Sequence, residues 1–363
     1  MKKYWLATFS ALLLITVIAT SYWATDMINK VEERQVSLEK MNPVSDEPIL
    51  NADDKIIEDK LTANPNSITE EYLYFDDRVL ERYHYDENHI LKSSEILSSA
   101  MNNLPEDINK YLMLVPMPIS LESDEVRQYS DDLVGTIEEI YAKMPSDVVT
   151  LDVAGGLVEH KDEYIYFRTD HVWTALGAYY AADKFCQSAG IEIIGIEEYR
   201  MNRLDNYIGT MGILPNTESL WNNPDHVNYY ILNDAANEQI ITSRRSKSEY
   251  ITYKSPMVAV SRGGYDTFIG AYYSHSILKG DATNGKTLMI LGDQYSKAFT
   301  PWLTPYYTNI VLVSPSLFNG SSEEFWHLFT EYQITDFLII EYGRYLGDSV
   351  MNKRIIELMS SAE

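Results

Sequence analysis

Hydrophobic and polar positions alternate in short blocks along most of the chain, and the period of the blocks changes from strand-like to helix-like and back. Tyr72-Leu73-Tyr74-Phe75 and Tyr111 to Val115 are apolar runs of strand length, with a helix predicted between them around Leu91 to Leu104. Within Asp124 to Met144, the residues Val126, Tyr129, Leu133, Ile137, Ile140 and Tyr141 recur at spacings of three, four or one and predict one long amphipathic helix. Val148 to Val153 reads as a strand, and Thr174 to Ala189 as a helix closed by Gly190, with Ala178, Ala181, Ala182 and Phe185 as its packing face. The last third repeats the pattern: strand Lys286 to Leu291, a turn at Gly292-Asp293, a helical stretch to about Pro305, and strand Ile310 to Val313. Helix Glu323 to Tyr332, strand Asp336 to Glu341 and a terminal helix from about Ser349 complete it. This alternation predicts an α/β domain with a largely parallel central sheet, whose site lies at the carboxyl ends of strands.

The N-terminus has a different pattern. After Lys2 and Lys3, the stretch Tyr4 to Ala24 carries no charge and matches the length a helix needs to cross a bilayer. Tyr4-Trp5 and Tyr22-Trp23 fit its two interfaces, and the lysines stay cytoplasmic under the positive-inside rule. A cleaved signal peptide is the rival reading, with Ala19 and Ser21 as small residues for cleavage, although the apolar run is long for one. The expected organisation is therefore a transmembrane anchor or uncleaved signal at 1–25, an acidic stalk with Pro43, Pro48 and Pro65 at 26–67, and a globular domain at 68–363. Either way the domain is expected outside the cytoplasmic membrane.

Charge and composition narrow the classes of function. The 363 residues carry 29 Lys and Arg against 54 Asp and Glu, a formal charge of −25, which repels phosphate backbones and excludes a nucleic-acid binder. A single cysteine, Cys186, excludes an intrachain disulfide framework and any CxxC motif. His84, His89, His160, His226, His275 and His327 show no metal-ligand spacing, so no metal site and no cofactor are expected. The 28 tyrosines are candidates for sugar stacking as well as for ordinary core positions.

Two segments carry the chemistry. Tyr166-Phe167-Arg168-Thr169-Asp170-His171-Val172-Trp173-Thr174 places an acid, a histidine and an indole in the turn before a helix. Leu288-Met289-Ile290-Leu291-Gly292-Asp293-Gln294-Tyr295-Ser296 is a strand-to-helix turn of the kind that presents a nucleophile. On the residues alone, Asp170 serves equally well as a helix cap, Trp173 as core filling and His171 as a surface histidine. Gly347-Asp348-Ser349 imitates a serine-hydrolase block but reads as a cap for the terminal helix.

Together with Val115-Pro116, Asn206-Tyr207-Ile208-Gly209-Thr210, Gly263 to Gly270 and Phe299 to Tyr307, these segments resemble, in order, the DHHW proteins. Those are relatives of the AlgX/AlgJ-type proteins, which O-acetylate exported polysaccharides with an SGNH-hydrolase-like domain. The resemblance spans residues 68 to about 345 and implies a three-layer fold. In active relatives the acid of DxHW orients a histidine, which deprotonates a serine after a Gly-Asp turn. Here Asp170 matches the acid and Trp173 the indole, but the histidine position is Val172 and the serine position is Gln294. Arg262, Gly264 and Tyr265 are placed near the site by the same resemblance, beside Gly292 and Asp293. It implies a catalytically degenerate accessory protein of exopolysaccharide or cell-envelope O-acetylation, whose partners are a membrane-bound O-acyltransferase of the MBOAT type and a polysaccharide chain. Two alternatives stand beside it: an active acetyltransferase or acetylesterase with a shifted constellation of Ser296, His171 and Asp170, and a structural envelope protein.

Overall fold

A computed structural model describes residues 64–232, 238–246, 249–258, 260–270, 273–347 and 349–360. Three short strands come first, β1 (Ser67–Ile68), β2 (Tyr72–Tyr74) and β3 (Val79–Glu81), forming a small antiparallel sheet. Helix α1 (Glu87–Asn102) follows, started by Asp86, whose carboxylate accepts from the backbone N–H of Asn88 and His89. Next come β4 (Asn109–Val115), α2 (Asp124–Arg127), α3 (Leu133–Tyr141), β5 (Val148–Thr150), α4 (Val153–Val158) and α5 (Ala175–Ser188). Strands β6 (Arg200–Tyr207) and β7 (Asp225–Ile231) form a separate antiparallel pair, and β8 (Glu238–Ser246), β9 (Glu249–Pro256) and β10 (Tyr273–Lys279) precede the final third. That third holds β11 (Thr287–Gly292), α6 (Tyr295–Phe299), β12 (Asn309–Val313), α7 (Ser322–Glu331), β13 (Asp336–Tyr342) and α8 (Val350–Met359).

The central sheet has eight strands in the order β5-β4-β13-β11-β12-β10-β8-β9. Its first five strands are parallel, and β10, β8 and β9 extend it in antiparallel fashion. Every residue of β11 and β13 is buried, so both faces of these strands are covered, as an α/β sheet requires. Two groups of helices supply the cover: α1 packs on α3 and α8, with α7 against α8, while α5 packs on α4 and α6.

Two sequence expectations change. The long helix expected over Asp124 to Met144 is broken into α2 and α3. Between them, Ser130 Oγ accepts from Tyr83 N–H at 2.9 Å and Asp131 Oδ2 from Tyr85 N–H at 2.9 Å, while Asp132 caps α3. Side chains that bind the backbone in this way compete with helix, and here they tie the break to the end of β3. The strand expected to reach Val153 stops at Thr150, because Asp152 caps α4. The sheet is mostly parallel, as expected, and carries in addition the antiparallel β8–β10 extension, whose strands read polar in sequence. Among the described residues no helix is long and apolar enough to cross a membrane, and the apolar stretch Tyr4 to Ala24 lies outside them.

Near the terminal helix, Ser349 accepts from Asn352 N–H at 3.0 Å and caps α8, as read from sequence, while Asp348 lies outside the described residues. Glu341, on β13, is fully buried; its oxygens make no hydrogen bond among the described residues, although Asn352 of α8 lies beside them. Burial, and then the Asp293 charge, push its carboxyl well above the ordinary value of 4.5. A raised acid contributes stability that is complete below its unfolded value and lost as pH rises through its folded one. Glu341→Gln, the shape of the protonated acid without its ionisation, should therefore raise the thermal midpoint more at pH ~8 than at pH ~5. Equal effects at both pH values would show that Glu341 does not carry this cost.

Candidate active site

The segment between Phe167 and Val172 is a closed loop. Tyr166 and Trp173 form an antiparallel bridge, and Phe167 N–H donates to Val172 O at 3.3 Å, so Arg168 to His171 stand at the tip. Asp225, at the start of β7 and 1% exposed, braces this tip. Its carboxylate accepts from Arg168 N–H (3.0 Å), Thr169 N–H (2.7 Å), Thr169 Oγ1 (2.7 Å), Arg168 Nε (3.1 Å) and Tyr164 OH (2.8 Å). A carboxylate that accepts from this many donors fixes the backbone that carries Asp170.

Asp170 is buried too. It accepts from Tyr207 OH on Oδ2, and on Oδ1 from Thr210 Oγ1 at 2.7 Å and from its neighbour's N–H, His171 N, at 2.8 Å. Tyr207 reaches it because the β6–β7 register shifts between Leu204 and Tyr207, with Asn206 in the left-handed region at φ 63°. Asn tolerates that conformation better than most residues, and the irregularity turns the tyrosine inward. Gly209 is required next: a Cβ there would land on the Asp170 side chain. Asp170 is thus not the cap of α5, a role taken by Thr174, which accepts from Gly177 N–H at 3.3 Å.

His171 is the residue that faces the second motif. Its Nδ1 lies 3.1 Å from Asp170 Oδ1 and 3.0 Å from Thr210 Oγ1, while its Nε2 touches the Gln294 amide nitrogen. With Nδ1 carrying the proton toward Thr210 Oγ1, beside the Asp170 carboxylate, Nε2 is left as an acceptor, and the amide N–H donates to it. The His171 side chain is only 11% exposed, so it is not the surface histidine that the bare sequence allowed. Tyr295 and Tyr342 wall it, with ring centroids 6.3 and 5.4 Å away, and Tyr295 OH donates to His171 O. Tyr342 OH in turn donates to the buried Glu81 of β3.

This geometry corrects the assignment made from the motif. Val172, expected at the base position, is 1% exposed in the core, and the imidazole at 171 needs no change of register to meet both Asp170 and position 294. One reacting group is therefore absent instead of two. Ser296 does not replace it: fully buried, its hydroxyl donates to Asp293 O and lies 3.2 Å from Tyr273 OH, with no bond to His171. Trp173 is fully buried as a core residue, its indole N–H donating to Tyr295 O at 3.0 Å and so joining the two motifs.

Gln294 and Asp293 occupy the turn after β11. A Cβ at Gly292 would come within 2.9 Å of the Ser296 Cβ, so the tightness of the turn depends on that glycine. Asp293 accepts from Tyr295 N–H at 2.9 Å and Tyr342 N–H at 2.7 Å, tying the turn to the end of β13. Arg262 and Tyr265, expected to line a groove, differ in exposure. Tyr265 is buried against Phe167 and Phe268, and Arg262 is half-buried, with Nη1 3.4 Å from Met257 O. Gly264, at φ 50°, shapes that turn, and Lys297 pairs there with Asp266.

Electrostatics follow from these contacts. Burial works against an ionised Asp170, but the His171 bond and charge, then Tyr207 and Thr210, outweigh it and bring the carboxyl down to about 2. Burial likewise works against a charged His171, and the Asp170 bond and charge again win, so the ring is raised above 6.5. Burial dominates at Asp293, pushing it up to about 6 despite its two backbone donors. Among the described residues no group of His, Cys, Asp and Glu could hold a metal ion.

An α/β sheet that aims a buried Asp–His pair at a strand-to-helix turn has the frame of a hydrolase-type acyl-transfer site. The chain belongs to the DHHW family, whose model matches residues 23–313. A DHHW family protein from Eubacterium siraeum has a similar fold, with 22% identity and a TM-score of 0.68 over 80% of this chain and 96% of that one. Bacillus cereus PatB1 with a sulfonyl adduct is 15% identical, with a TM-score of 0.64 over 79% and 99%. PatB1 without that adduct is 14% identical, at 0.62 over 77% and 98%. No curated protein is similar enough in sequence to count as a relative.

The Asp170–His171 pair sets a testable pH dependence. Asp170, lowered from 3.8, contributes stability present above that value and lost as pH falls toward about 2. His171, raised from 6.5, contributes stability present below 6.5 and lost as pH rises through its folded value. The pair stabilises most between pH 3.8 and 6.5. In Asp170→Asn, burial of the ring is left unopposed by the anion, so an NMR titration should place His171 below its wild-type value. An unmoved titration would refute the coupling.

Proposed function

We propose that the protein is a membrane-anchored, extracytoplasmic accessory component of an exopolysaccharide or cell-envelope O-acetylation system. It acts by binding a glycan chain, an MBOAT-type acyltransferase or both, and not by covalent acyl transfer. The carrying observation is the Gln294 amide against His171 Nε2, where a nucleophile would have to stand. An amide is neither an attacking oxygen nor readily turned into one, and it occupies the lone pair with which the imidazole would act as base. Family membership and the exported-domain organisation read from sequence support the pathway. The buried Ser296 argues against the shifted constellation as an enzyme, and the intact Asp170–His171 pair argues against a purely structural protein.

The full-length chain should show no turnover of p-nitrophenyl acetate, and Ser296→Ala should change nothing. Because His171 already faces position 294, Gln294→Ser alone should release one equivalent of p-nitrophenolate in a burst that disappears in Gln294→Ser/His171→Ala. Turnover by the wild type that vanished in Ser296→Ala would reverse the reading.

Orientation is set by the charge asymmetry around the apolar stretch, with Lys2 and Lys3 inside and residues from Asp26 onward outside. Protease added to intact protoplasts should digest the domain. Full protection would contradict export.

A further inference from the structure

The side chain of Gln294, Cβ–Cγ–Cδ(=Oε1)–Nε2, has the heavy-atom skeleton of an O-acetylated serine, Cβ–Oγ–C(=O)–CH3. A methylene replaces the ester oxygen and an amide nitrogen replaces the methyl. It leaves the backbone at the turn between β11 and α6, where a hydroxyl aimed at His171 would leave it. An acetyl group on such a hydroxyl would take up the volume that the carboxamide now fills. The amide also has a hold that an ester lacks, since its N–H donates to His171 Nε2. The Gln294 backbone N–H makes no hydrogen bond among the described residues, which leaves a donor of the kind an acyl oxygen uses. Gln294 is half-buried and Thr210 exposed, so the accessible side of this group is the one an incoming acceptor would approach.

We propose that Gln294 holds the site permanently in the shape of an acetyl-enzyme. The ligand selected is then the acceptor side of an acyl transfer, a hydroxyl-bearing glycan, because the acyl group of a donor has no room. This rests on the proposed glycan-binding role and specifies which side chain makes the bound shape.

The test uses the full-length chain in mild detergent, run through gels that carry de-O-acetylated envelope polysaccharide from the producing cells. The wild type should be retarded, and Gln294→Ala, which removes the carboxamide and with it the shape presented to the ligand, should bind about tenfold more weakly, the worth of about one hydrogen bond. Gln294→Ser should also bind weakly. Treated with p-nitrophenyl acetate, it should lose its hydroxyl proton to His171, attack the acetyl carbonyl and release p-nitrophenolate. One acetyl group then appears in the intact mass and retardation returns. Equal retardation of wild type and Gln294→Ala would overturn this inference while glycan binding stands. Acetylation of Gln294→Ser without recovery would overturn it likewise. A wild type that is not retarded would remove the glycan-binding role itself, and this inference with it.

Discussion

The burial of one carboxylate, Asp170, constrains most of its surroundings. A charge taken out of water is costly unless it is paired and hydrogen-bonded, and Asp170 is supplied by a phenol, a hydroxyl, a backbone N–H and an imidazole. Each donor dictates a local feature: the left-handed Asn206 that turns Tyr207 inward, the glycine at 209 that clears space for the carboxyl, and the loop tip that presents His171. A second buried acid, Asp225, fixes that tip from the neighbouring strand. The β6–β7 pair therefore delivers both supports, which accounts for a two-stranded unit beside the main sheet.

The same constraint sets the chemistry. Pairing with a low-lying carboxylate fixes the His171 proton at Nδ1 and turns Nε2 toward the strand-to-helix turn, the arrangement a general base requires. The walls of Tyr295 and Tyr342 keep that ring in place, and Trp173 binds the two motifs through the Tyr295 carbonyl. The residue after Asp293 brings a carboxamide and not a hydroxyl. The Asp170–His171 pair thus meets a side chain that has a carbon where a serine would have its hydroxyl oxygen.

Much of the parallel core was legible in the sequence because β11 and β13 are short, largely apolar runs bounded by turn residues, a pattern that burial on both faces enforces. The helix break near Ser130 was not legible, since the apolar spacing continues across it and the competing bonds go to Tyr83 and Tyr85, far away in the chain. The β8–β10 extension was missed because polar residues dominate its strands. At the site, the acid, the indole and the turn could be read from two short motifs. The register that puts position 171 on the base side and 172 in the core depends on the Phe167–Val172 bond and the Tyr166–Trp173 bridge, which no motif spells out. Tyr207 and Thr210 lie within a recognisable block of sequence, yet their tie to Asp170 is purely tertiary.

The proposed catalytic silence requires that position 294 carry no nucleophile and that no neighbouring hydroxyl take its place. Intact-mass spectrometry of the wild-type chain after prolonged exposure to an aryl sulfonyl fluoride tests this directly, because such reagents mark activated hydroxyls irrespective of the natural acceptor. The expected result is an unchanged mass, with the label appearing only in Gln294→Ser and requiring His171. A stoichiometric adduct on the wild type, mapped to Ser296 or any other hydroxyl, would contradict it.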